Sequence, residues 1–576
     1  MRMMDGARAQ LRRWGALALA AALATVALVA MQAPTSAQAL SGSDFQRGYI
    51  ISDSQFYDSN AMTQDEIQAF LSKMTPSCAN SNCLSVVRTD TFSRAADRTV
   101  CAAYTGASGE LASAIIFKVQ QACGISARVL LVTLQKEQSL ITMTNPTLTR
   151  LSRAMGYGCP DSAGGACDSQ FYGLYNQIYK AAWQFKRYST PDPWGSYQPG
   201  VVAIAKKPGC ESIAVNIQNN ATAALYNYTP YTPDDAALAN LRGLGDGCSS
   251  YGNRNFWVYY NDWFGDPLTT IPTGVTVSRL GGDDRYDVAV GISQQNFPGT
   301  TPVVFVATGS NYPDALSAAP AAAVQHAPLL LVPTDSIPQN VVDEIKRLAP
   351  SHIIVAGGPA SVSDSVFLQL GKLAPQVDCE TGTDRYAVSQ QVTADAFLAG
   401  SATAYLATGA TFPDALSASA AAGSKHAPVI LVNGAQSTVD PGLAALLTKL
   451  GVAHIVIVGG PASVSSALQT ALATVTGVTD VQRVTGSDRF VVSGQINHSS
   501  FTTSTNVYIA SGMTFPDALS GAAVAGAQSA PLYVVPGSCI PSYVLRDIIS
   551  LGATKMTILG GPASVVPAVE RFAQCP

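Results

Sequence analysis

One hexapeptide pattern occurs three times in the chain, as Tyr312-Pro-Asp-Ala-Leu-Ser317, Phe412-Pro-Asp-Ala-Leu-Ser417 and Phe515-Pro-Asp-Ala-Leu-Ser520. Each copy is preceded by an Asp-Arg pair, which ends at Arg285, Arg385 and Arg489. Each copy is followed by Gly-Gly-Pro-Ala-Ser-Val, which begins at Gly357, Gly459 and Gly560. The motifs keep their order and recur with a period of about 100 residues, which indicates three copies of one structural unit.

Within a copy, continuous apolar runs alternate with helical segments. In the first copy we predict strands at 302–307, 328–332 and 353–356, and helices at 314–325, 338–348 and 361–370. Continuous apolar runs are typical of parallel strands that are buried on both faces. Each copy is therefore expected to form a small three-layer α/β unit with right-handed crossovers. Ligands of such sheets usually bind beyond the carboxyl ends of the strands.

These motifs resemble those of the cell wall binding repeat 2 family, and the resemblance covers residues 279–572. The resemblance implies a compact pseudo-threefold assembly of three modules, each similar to a Rossmann-type or topoisomerase–primase (Toprim) unit. It also implies non-covalent attachment to an anionic secondary polymer of the cell wall, such as a teichoic-acid-like chain. The expected repeats are 279–378, 379–478 and 479–576, and a linker at 268–278 precedes them.

Arginine and serine side chains in the repeated motifs are the candidate ligands for such a polymer. An arginine fork pairs bidentately with phosphate or carboxylate, and the Gly-Gly-Pro-Ala-Ser loop leads into a helix N-terminus, which favours anions. The candidates are Arg279, Arg285, Arg385, Arg483, Arg489, Ser361, Ser463 and Ser564. The second copy has Cys379 where the others have Arg279 and Arg483, so polymer binding through this arginine would leave the second site weaker.

Structural roles compete with polymer binding at several of these positions. We interpret Asp314, Asp414 and Asp517 as N-caps of helices rather than as ligands. The Asp-Arg pairs either contact the polymer or form ion pairs that hold the modules together. The glycines either bring the backbone close to an anion or only permit tight turns.

Residues 1–39 have the pattern of a signal peptide. Its basic n-region contains Arg2, Arg8, Arg12 and Arg13. A run that is apolar except for Thr25 follows at 15–31, and Ala37-Gln38-Ala39 is a small-x-small cleavage site. An uncleaved membrane anchor is the alternative, but the run is shorter than the ~20 residues that span a bilayer comfortably. We therefore predict a secreted Gram-positive protein of the cell wall or cell surface, with no stable membrane span after cleavage.

Composition and charge argue against several classes of function. The chain of 576 residues is 47% hydrophobic and 12% charged, which is too apolar for a disordered protein. Without residues 1–39, 30 Lys and Arg oppose 37 Asp and Glu, and a formal charge of −7 does not suggest a nucleic-acid binder. The α/β copies lack both G-x-G-x-x-G and a P-loop, which argues against a nucleotide-binding enzyme. We predict neither a cofactor nor a metal.

Eight of the eleven cysteines lie between residues 78 and 248. An even number behind a signal peptide favours four disulfides over a zinc site, whose C-x2-C and H-x3-5-H spacings are absent. Order along the chain suggests the pairs 78–83, 101–123, 159–167 and 210–248, although sequence cannot fix the connectivity. Cys539 with Cys575 is a further expected pair, which leaves Cys379 unpaired.

Residues 40–267 contain no repeat and no histidine. The absence of histidine excludes Ser-His-Asp and Cys-His catalysis and histidine-ligated zinc peptidases for this region. If this region is an enzyme, a carboxylate is expected to carry its chemistry. A helix predicted from Ala127 to about Gln138 places Glu137 at its end beside apolar neighbours. A carboxyl group against apolar surface keeps its proton more readily, which suits a general acid.

The segment from Cys123 to Ser139, which ends in Glu137-Gln-Ser139, is similar to the catalytic helix of lysozyme-like lytic transglycosylases. A later stretch, 222–231, is similar to the Ala-Tyr-Asn-Ala-Gly-Pro stretch that lines the cleft of that family. Such enzymes need one acid, which protonates the glycosidic oxygen and then acts as a base. The family has Glu-Ser where this chain has Glu-Gln-Ser, and 155–158 takes the place of its Gly-Leu-Met-Gln segment.

The resemblance implies a mainly α, disulfide-bonded, lysozyme-like domain at 40–267 with Glu137 as the catalytic residue. The residues expected to bind substrate are Ser139, Tyr157, Tyr226, Asn227 and Tyr231. Two hypotheses follow for the whole chain. In the first, the repeats hold a peptidoglycan-cleaving enzyme on the wall, and its substrate is the glycan strand. In the second, the protein is non-catalytic, Glu137 is a solvated residue at a helix end, and the N-terminal half serves adhesion or glycan recognition.

Overall fold

A computed structural model describes residues 40–97, 100–159, 167–190 and 195–576. The predicted signal peptide, 1–39, lies outside the described residues. Within those ranges, no helix has the length and apolar character needed to cross a membrane.

The N-terminal half is mainly helical, as expected. Its α-helices are Asp53–Phe56, Gln64–Met74, Ala112–Cys123, Ala127–Gln138, Leu148–Ser152, Leu174–Arg187, Asn220–Tyr228, Asp235–Ala239 and Gly252–Phe264. Two antiparallel strand pairs accompany them, Arg88–Thr89 with Glu110–Leu111 and Gly200–Ala205 with Ser212–Ile217. Short 3-10 helices lie at Gly42–Asp44 and Ser169–Phe171. The core contains large aromatic side chains, among them Phe56, Phe185, Phe256, Trp257 and Tyr260.

Five disulfides form with the pairing that order along the chain suggests. They are Cys78–Cys83, Cys101–Cys123, Cys159–Cys167, Cys210–Cys248 and Cys539–Cys575. Cys379 is a free, exposed thiol.

Each C-terminal repeat is built on a four-stranded parallel sheet. The first sheet has the order Leu329–Val332, Val303–Thr308, His352–Ala356 and Gln376–Glu380. The second has Val429–Val432, Thr403–Thr408, His454–Val458 and Asp480–Val484, and the third has Leu532–Val535, Asn506–Ser511, Lys555–Leu559 and Thr276–Leu280. The two central strands of each sheet are buried along most of their length, because helices cover both faces. The predicted strands of the first copy are confirmed to within one residue.

The fourth strand of the first and second sheets comes from the start of the next repeat in sequence, and that of the third sheet comes from the start of the first repeat. We call Thr276–Leu280, Gln376–Glu380 and Asp480–Val484 the lead strands. The first lead strand pairs with Lys555–Leu559, nearly 300 residues later in the chain, in parallel register from Thr276 to Leu280. This pairing closes the three repeats into a ring. The strand also begins inside the segment predicted as a linker, and the helix that follows each lead strand was not predicted.

Three apolar helices pack against one another at the centre of the ring. We call Pro313–Val324, Pro413–Ser424 and Pro516–Ala527 the axis helices. At their N-terminal ends, the rings of Tyr312, Phe412 and Phe515 have mutual centroid distances of 5.8 Å. Near their C-terminal ends, a Cβ atom at Gly423 would lie 2.8 Å from the Gly526 Cα and 2.9 Å from the Ala323 Cβ. The helices therefore run parallel around a pseudo-threefold axis.

The remaining helices cover the outer faces and the junctions of the repeats. The lead helices, which follow the lead strands, are Arg285–Asn296, Arg385–Ala396 and Arg489–Ser500. The outer helices are Gln339–Leu348, Asp364–Leu370, Pro441–Leu450, Ser466–Leu472 and Ser542–Ser550, with a 3-10 helix at Pro567–Arg571.

The N-caps differ from the prediction. Asp284, Asp384 and Asp488 cap the lead helices, and each Oδ1 accepts hydrogen bonds from two backbone N–H groups. The predicted caps Asp314, Asp414 and Asp517 instead occupy the second residue of the axis helices, after a proline, and the capping positions are Tyr312, Phe412 and Phe515. The N-cap interpretation of these three aspartates was wrong, because their carboxylates turn away from the helix end towards the Gly-Gly-Pro-Ala-Ser loops.

The C-terminal segment packs against the N-terminal half. The Gln574 side chain accepts a hydrogen bond from Gln55 Nε2 at 3.0 Å and donates one to the Asp266 carbonyl at 3.1 Å. Arg571 forms an ion pair with Glu66. These contacts attach the N-terminal half to the third repeat in addition to the covalent connection.

Candidate functional sites

The arginines of the Asp-Arg pairs lie at the junctions between repeats, at the N-terminal ends of the axis helices. Arg285 Nη1 donates to the Gly309 carbonyl at 2.5 Å, and Arg489 Nη1 donates to the Gly512 carbonyl at 2.9 Å. Arg385 Nη1 donates to the Gly409 carbonyl at 2.6 Å. These carbonyls directly follow central strands, so the arginines mark the carboxyl ends of the sheets.

Each of these guanidinium groups also lies over an aromatic ring of the preceding repeat. Arg385 is 5.8 Å from the Tyr312 ring centroid, Arg489 is 5.6 Å from that of Phe412, and Arg285 is 5.7 Å from that of Phe515. The Tyr312 hydroxyl is an additional partner, because it accepts from Arg385 Nη1 at 3.3 Å and donates to the Ala410 carbonyl at 2.7 Å. We call the three arginines with the three rings the axis face.

Among the described residues, the hydrogen bonds of these arginines use only Nη1. All three arginines are partly exposed, so Nη2 and Nε remain for a ligand. No ion pair joins them to the adjacent aspartates of the Asp-Arg motif within the described ranges, and those aspartates act as helix caps. Each arginine is therefore fixed to its own repeat by a backbone carbonyl and contacts the preceding repeat through an aromatic ring, while its Nε and Nη2 make no hydrogen bond to the described residues.

Buried carboxylates lie below the axis face. Asp314 Oδ2 accepts a hydrogen bond from the Ser361 hydroxyl at 2.5 Å. Burial raises the pKa of Asp314, whereas the Ser361 hydrogen bond and the Arg385 charge lower it. Burial likewise raises the pKa of Asp414, which Ser463 and Arg489 lower. In the first two repeats these predicted polymer-binding serines thus hold a carboxylate of their own repeat.

The Gly-Gly-Pro-Ala-Ser loops make room for these carboxylates. A Cβ atom at Gly357, Gly459 or Gly560 would lie 2.3 Å from Oδ2 of the aspartate in the same repeat, Asp314, Asp414 and Asp517 respectively. The backbone φ angles at the three glycines are +108°, +109° and +102°, which only glycine adopts without strain. Ser564 lies at the equivalent position of the third loop. A packing role therefore explains the first glycine of each loop.

Arg279 and Arg483 bind protein groups rather than solvent. Arg279 Nη1 donates to the Gly560 carbonyl at 2.8 Å and its Nε contacts Glu570 at 2.7 Å. Arg483 makes the matching contacts with Gly459 and Gln469. The Nη2 atoms of both arginines are buried and have no hydrogen-bond partner in the part of the chain that the structure describes. These donors are oriented alike in two repeats.

The first sheet lacks this arginine. The Cys379 thiol lies 3.3 Å from the Gly357 carbonyl, in the place of the guanidinium. Phe367 occupies the position of Glu570 and Gln469, so the arginine and its polar partner are absent together.

Glu137 lies beside a pocket in the N-terminal half. It is the penultimate residue of the helix Ala127–Gln138, which ends at Ser139 in a left-handed conformation with φ 57°. Its Oε1 pairs with Lys136 Nζ at 2.6 Å. Its Oε2 would lie 3.0 Å from a Cβ atom at Gly156, so the missing side chain of this glycine leaves the carboxylate its space. The expected apolar surroundings are therefore wrong in one respect, because a buried ammonium group contacts the carboxylate.

The pocket has a volume of about 410 Å3 and is lined by Gly156, Tyr157, Gly158, Gln184, Tyr188, Gly195 and Tyr228. The Tyr228 hydroxyl donates to the Met155 carbonyl at 2.7 Å. Burial raises the pKa of Tyr228 well above its ordinary value, and the Glu137 charge raises it further. Lys136 Nζ contacts the Thr229 hydroxyl at 2.7 Å, so the 222–231 stretch fixes the ion pair beside the pocket.

Of the five predicted substrate-binding residues, the pocket lining includes Tyr157 and not the other four, and the Tyr231 carbonyl accepts a hydrogen bond from Asn253. Tyr157 lines the pocket, and Asn227 supports the opposite wall through two hydrogen bonds with the Tyr197 backbone at 2.8 and 2.9 Å. Ser139 is exposed and ends the helix that carries Glu137. Tyr226 is 0% exposed, and its hydroxyl bonds to the Arg47 carbonyl and to Thr232. The Tyr226 ring belongs to the core, and we assign it no contact with a ligand.

Three segments of the chain, 279–367, 381–469 and 483–570, match the family described as Cell wall binding domain 2 (CWB2). Residues 279–570 are three repeats of the CWB2 family. The protein is therefore associated with the cell wall or the cell surface.

The CWB2 match is accompanied by similarity to several known proteins. The chain is 26% identical over 298 residues to N-acetylmuramoyl-L-alanine amidase LytC of Bacillus subtilis, which is 51% of this chain and 58% of that protein. It is 24% identical over 345 residues to the Amidase enhancer of the same organism, which is 58% of this chain and 47% of that protein. The chain thus spans about half the length of the curated relatives that it matches.

Two solved structures are similar to part of the chain. Cwp6 from Clostridium difficile has a TM-score of 0.49 and 24% identity, covering 52% of this chain and 48% of its own. Cwp8 from Clostridium difficile has a TM-score of 0.48 and 27% identity, covering 52% of this chain and 51% of its own. The family match supports the CWB2 repeats and leaves the lysozyme-like resemblance of the N-terminal half without support.

Sequence reasoning missed several residues of both sites. In the CWB2 repeats, it missed the contact of each arginine with the aromatic ring of the preceding repeat. The repeated Tyr312, Phe412 and Phe515 carried that signal, because an aromatic residue at one position of all three copies is a candidate for the pseudo-threefold axis. In the N-terminal half, it missed Lys136, Gln184 and Tyr188, for which no local pattern in the sequence gives a signal.

Proposed function

We propose that the three CWB2 repeats bind an anionic cell-wall polymer at the axis face. The observation that carries the proposal is the convergence of Arg285, Arg385 and Arg489 around the aromatic cluster. Each of these arginines keeps N–H groups that make no hydrogen bond to the described residues. A planar guanidinium that is fixed by one carbonyl and one ring presents its remaining N–H groups in a defined direction.

The surroundings of the arginines support an anionic ligand with regularly spaced charges. The N-termini of three parallel axis helices meet at this face, and their dipoles add a positive potential. The buried aspartates offset part of this positive potential. We therefore expect anions that contact the arginines directly to bind more strongly than a surface with diffuse negative charge. Arg279 and Arg483 are not part of this proposed contact, because their Nη2 atoms are buried and their Nε and Nη1 atoms bind protein groups.

Binding to purified walls tests this proposal. The triple variant Arg285→Ala/Arg385→Ala/Arg489→Ala is expected to lose at least about tenfold in affinity, because each arginine contributes a charge-assisted hydrogen bond. Wild-type binding is expected to weaken with added salt and on walls stripped of phosphate-linked polymers by acid. The matched control Arg88→Ala/Arg242→Ala/Arg546→Ala removes the same charge elsewhere and should bind normally. Equal binding of the two triple variants contradicts the proposal.

A second candidate function concerns the N-terminal half, which we propose cleaves glycan strands of peptidoglycan. The observation in favour is the position of Glu137, whose Oε2 lies next to Gly156, one of the residues that line a pocket together with three tyrosines. Tyrosine rings stack on sugar rings, and one carboxyl group suffices for the reaction of lytic transglycosylases, in which it protonates the leaving oxygen and then acts as a base.

Lys136 sets a condition on this chemistry. Its ammonium group holds Glu137 Oε1, so only Oε2 is available to a substrate in the pocket. Tyr157, Tyr188 and Tyr228 would position the sugar, and Asn227 would hold the pocket wall that contains Gly195.

Turbidity loss of purified peptidoglycan, with mass spectrometry of the products, tests the second candidate. Wild type is expected to clear the suspension, and Glu137→Gln is expected to lose at least about 100-fold in rate. Glu211→Gln, at an exposed carboxylate of a surface ion pair, is the matched control. Anhydro-sugar products indicate a transglycosylase and reducing ends a hydrolase. No clearing by folded wild type refutes cleavage and favours the alternative, a non-catalytic protein for adhesion or glycan recognition.

A further inference from the structure

The contact between the first and second repeats contains a carboxyl pair that the other contacts lack. Glu380 is the last residue of the lead strand Gln376–Glu380. The equivalent residues of the other two lead strands are Leu280 and Val484, which pack against the apolar core. Glu380 is only 8% exposed. An ionisable side chain therefore replaces an aliphatic one at a buried position.

Glu380 borders a cavity of about 520 Å3 at this contact. The cavity lies between strands of the first sheet and the lead helix Arg385–Ala396 of the second repeat. Phe305 forms part of its wall, where the other repeats have Tyr405 and Tyr508. In the third repeat the Tyr508 hydroxyl bonds to Gln528 at 2.8 Å, and Gln528 bonds to Asn296 of the first repeat at 2.8 Å. The contact between the first and second repeats lacks this phenol.

The partner of Glu380 is a second carboxyl group. Asp395, on the lead helix, lines the same cavity and is near enough to Glu380 to raise its pKa, and Gln391 Nε2 donates to Asp395 Oδ2 at 2.5 Å. Two neighbouring carboxyl groups repel each other when both are ionised, whereas a shared proton lets one of them donate to the other. Burial raises the pKa of Glu380 to about 7, and the neighbouring Asp395 and Asp378 contribute to this increase.

Other titratable groups of the cavity come from three elements. Asp378 and Cys379 lie on the same lead strand as Glu380, His352 lies on the neighbouring strand, and Asp395 lies on the lead helix. His352 Nε2 is 2.8 Å from Asp378 Oδ2, so these two form a separate pair. Among the described residues that line the cavity, no lysine or arginine is present to neutralise Glu380.

We propose that Glu380 and Asp395 form a proton-sensitive latch between the first and second repeats, closed while they share a proton and loosened when both ionise. The latch lies five residues before Arg385 of the axis face, and its existence does not depend on the polymer-binding proposal.

The direction of the pH effect follows from the pKa of Glu380. In the unfolded chain Glu380 takes its ordinary value of 4.5, whereas its pKa in the folded protein is about 7. Between these values the folded state binds more protons than the unfolded state, so stability falls as pH rises. Below about pH 4.5 and above about pH 7 this group contributes no pH dependence.

Thermal unfolding of the full chain at several pH values between about 5 and 8 tests the latch. The variant Glu380→Leu installs the residue found at position 280, in the first lead strand. Wild type is expected to lose at least about 3 °C more in Tm than Glu380→Leu from pH 5 to pH 8. Asp395→Asn removes the other carboxyl group at an exposed position, so it should fold and should also flatten the pH dependence.

The variant His352→Gln separates the latch from the neighbouring imidazole. It is expected to retain the pH dependence of wild type, since it leaves both carboxyl groups of the latch in place. The latch is overturned if wild type and Asp395→Asn keep a constant Tm difference across the pH range. It is also overturned if His352→Gln alone removes the pH dependence. Neither outcome involves the wall, so failure of the latch is distinct from failure of polymer binding.

Discussion

The axis face of the repeats and the pocket beside Glu137 hold their charged groups in opposite ways. At the axis face, each arginine contacts a backbone carbonyl and a ring and keeps two donor positions. Beside the pocket there is one such group, Glu137, and a lysine with a side chain only 5% exposed already pairs with one of its two oxygens. The axis face therefore contains three cations with N–H groups that are unpaired within the described residues, whereas the region beside the pocket contains one carboxylate with one oxygen paired to a lysine.

The two regions also differ in internal repetition. A residue that recurs in three copies at one position is a functional or packing residue of the common unit, and the structure then distinguishes these roles. Glu137 lies outside the repeats, so the chain contains no equivalent residue with which it can be compared. Its assignment depends on the environment alone, which here includes a buried ammonium group that the sequence did not reveal.

The largest expected effect is on the axis helices, on which the axis face depends. Gly423→Leu is expected to destabilise the protein by more than about 3 kcal/mol, because its Cβ atom would meet Gly526 and Ala323 in a packed core. Thermal unfolding would measure this loss. Gly299→Leu, at an exposed glycine whose Cβ meets nothing within 4 Å, is the control and should change stability little. A stable Gly423→Leu protein would mean that the axis helices do not pack as described.

A smaller effect is expected from the ion pair beside the pocket. Lys136→Met should cost about 2 kcal/mol, because the substitution leaves the Glu137 carboxylate and the Thr229 hydroxyl without their partner. This cost stays below that of a fully buried pair because the Glu137 side chain is 25% exposed. Lys206→Met breaks the exposed pair with Glu211 and should leave the free energy of unfolding almost unchanged, because solvent screens this pair. Equal costs in chemical unfolding would show that the Lys136 pair is solvated.

The repeats illustrate how much of the fold the sequence predicts. Periodic motifs and apolar runs identified three parallel-sheet units, and the order of the cysteines matched the disulfides. The lead strands were missed because Thr276–Leu280 alternates in character and pairs with a strand nearly 300 residues away. Such a pairing closes a ring, and no local pattern encodes it.

The candidate sites were predictable only in part, for a related physical reason. Motif repetition selected Arg285, Arg385 and Arg489, but their aromatic partners belong to the preceding repeat and depend on the assembly. Aspartate is a residue type that often caps helices, yet the Asp314 carboxylate is oriented by a hydrogen bond from Ser361, which lies in a loop distant in sequence. Tyr226 and Tyr228 lie two residues apart on one helix, and only packing decides that one is core and the other lines the pocket.

The smallest expected effect distinguishes the three junctions of the axis face. Of the three aromatic residues, Tyr312 has a hydroxyl group, which accepts a hydrogen bond from Arg385 and donates one to the Ala410 carbonyl. Phe412 and Phe515 have no hydroxyl, so the arginine over each of these rings is hydrogen-bonded to a backbone carbonyl and not to the ring residue. Tyr312→Phe should therefore cost about 1 kcal/mol or less in stability and raise wall affinity by no more than about threefold. Phe412→Tyr, the reverse change, should lower affinity by a similar factor. If both variants bind walls as wild type does, the ring hydroxyl does not compete with the polymer for the arginine. Cys379 and Glu380 would then be the differences between the repeats that make the three junctions unequal.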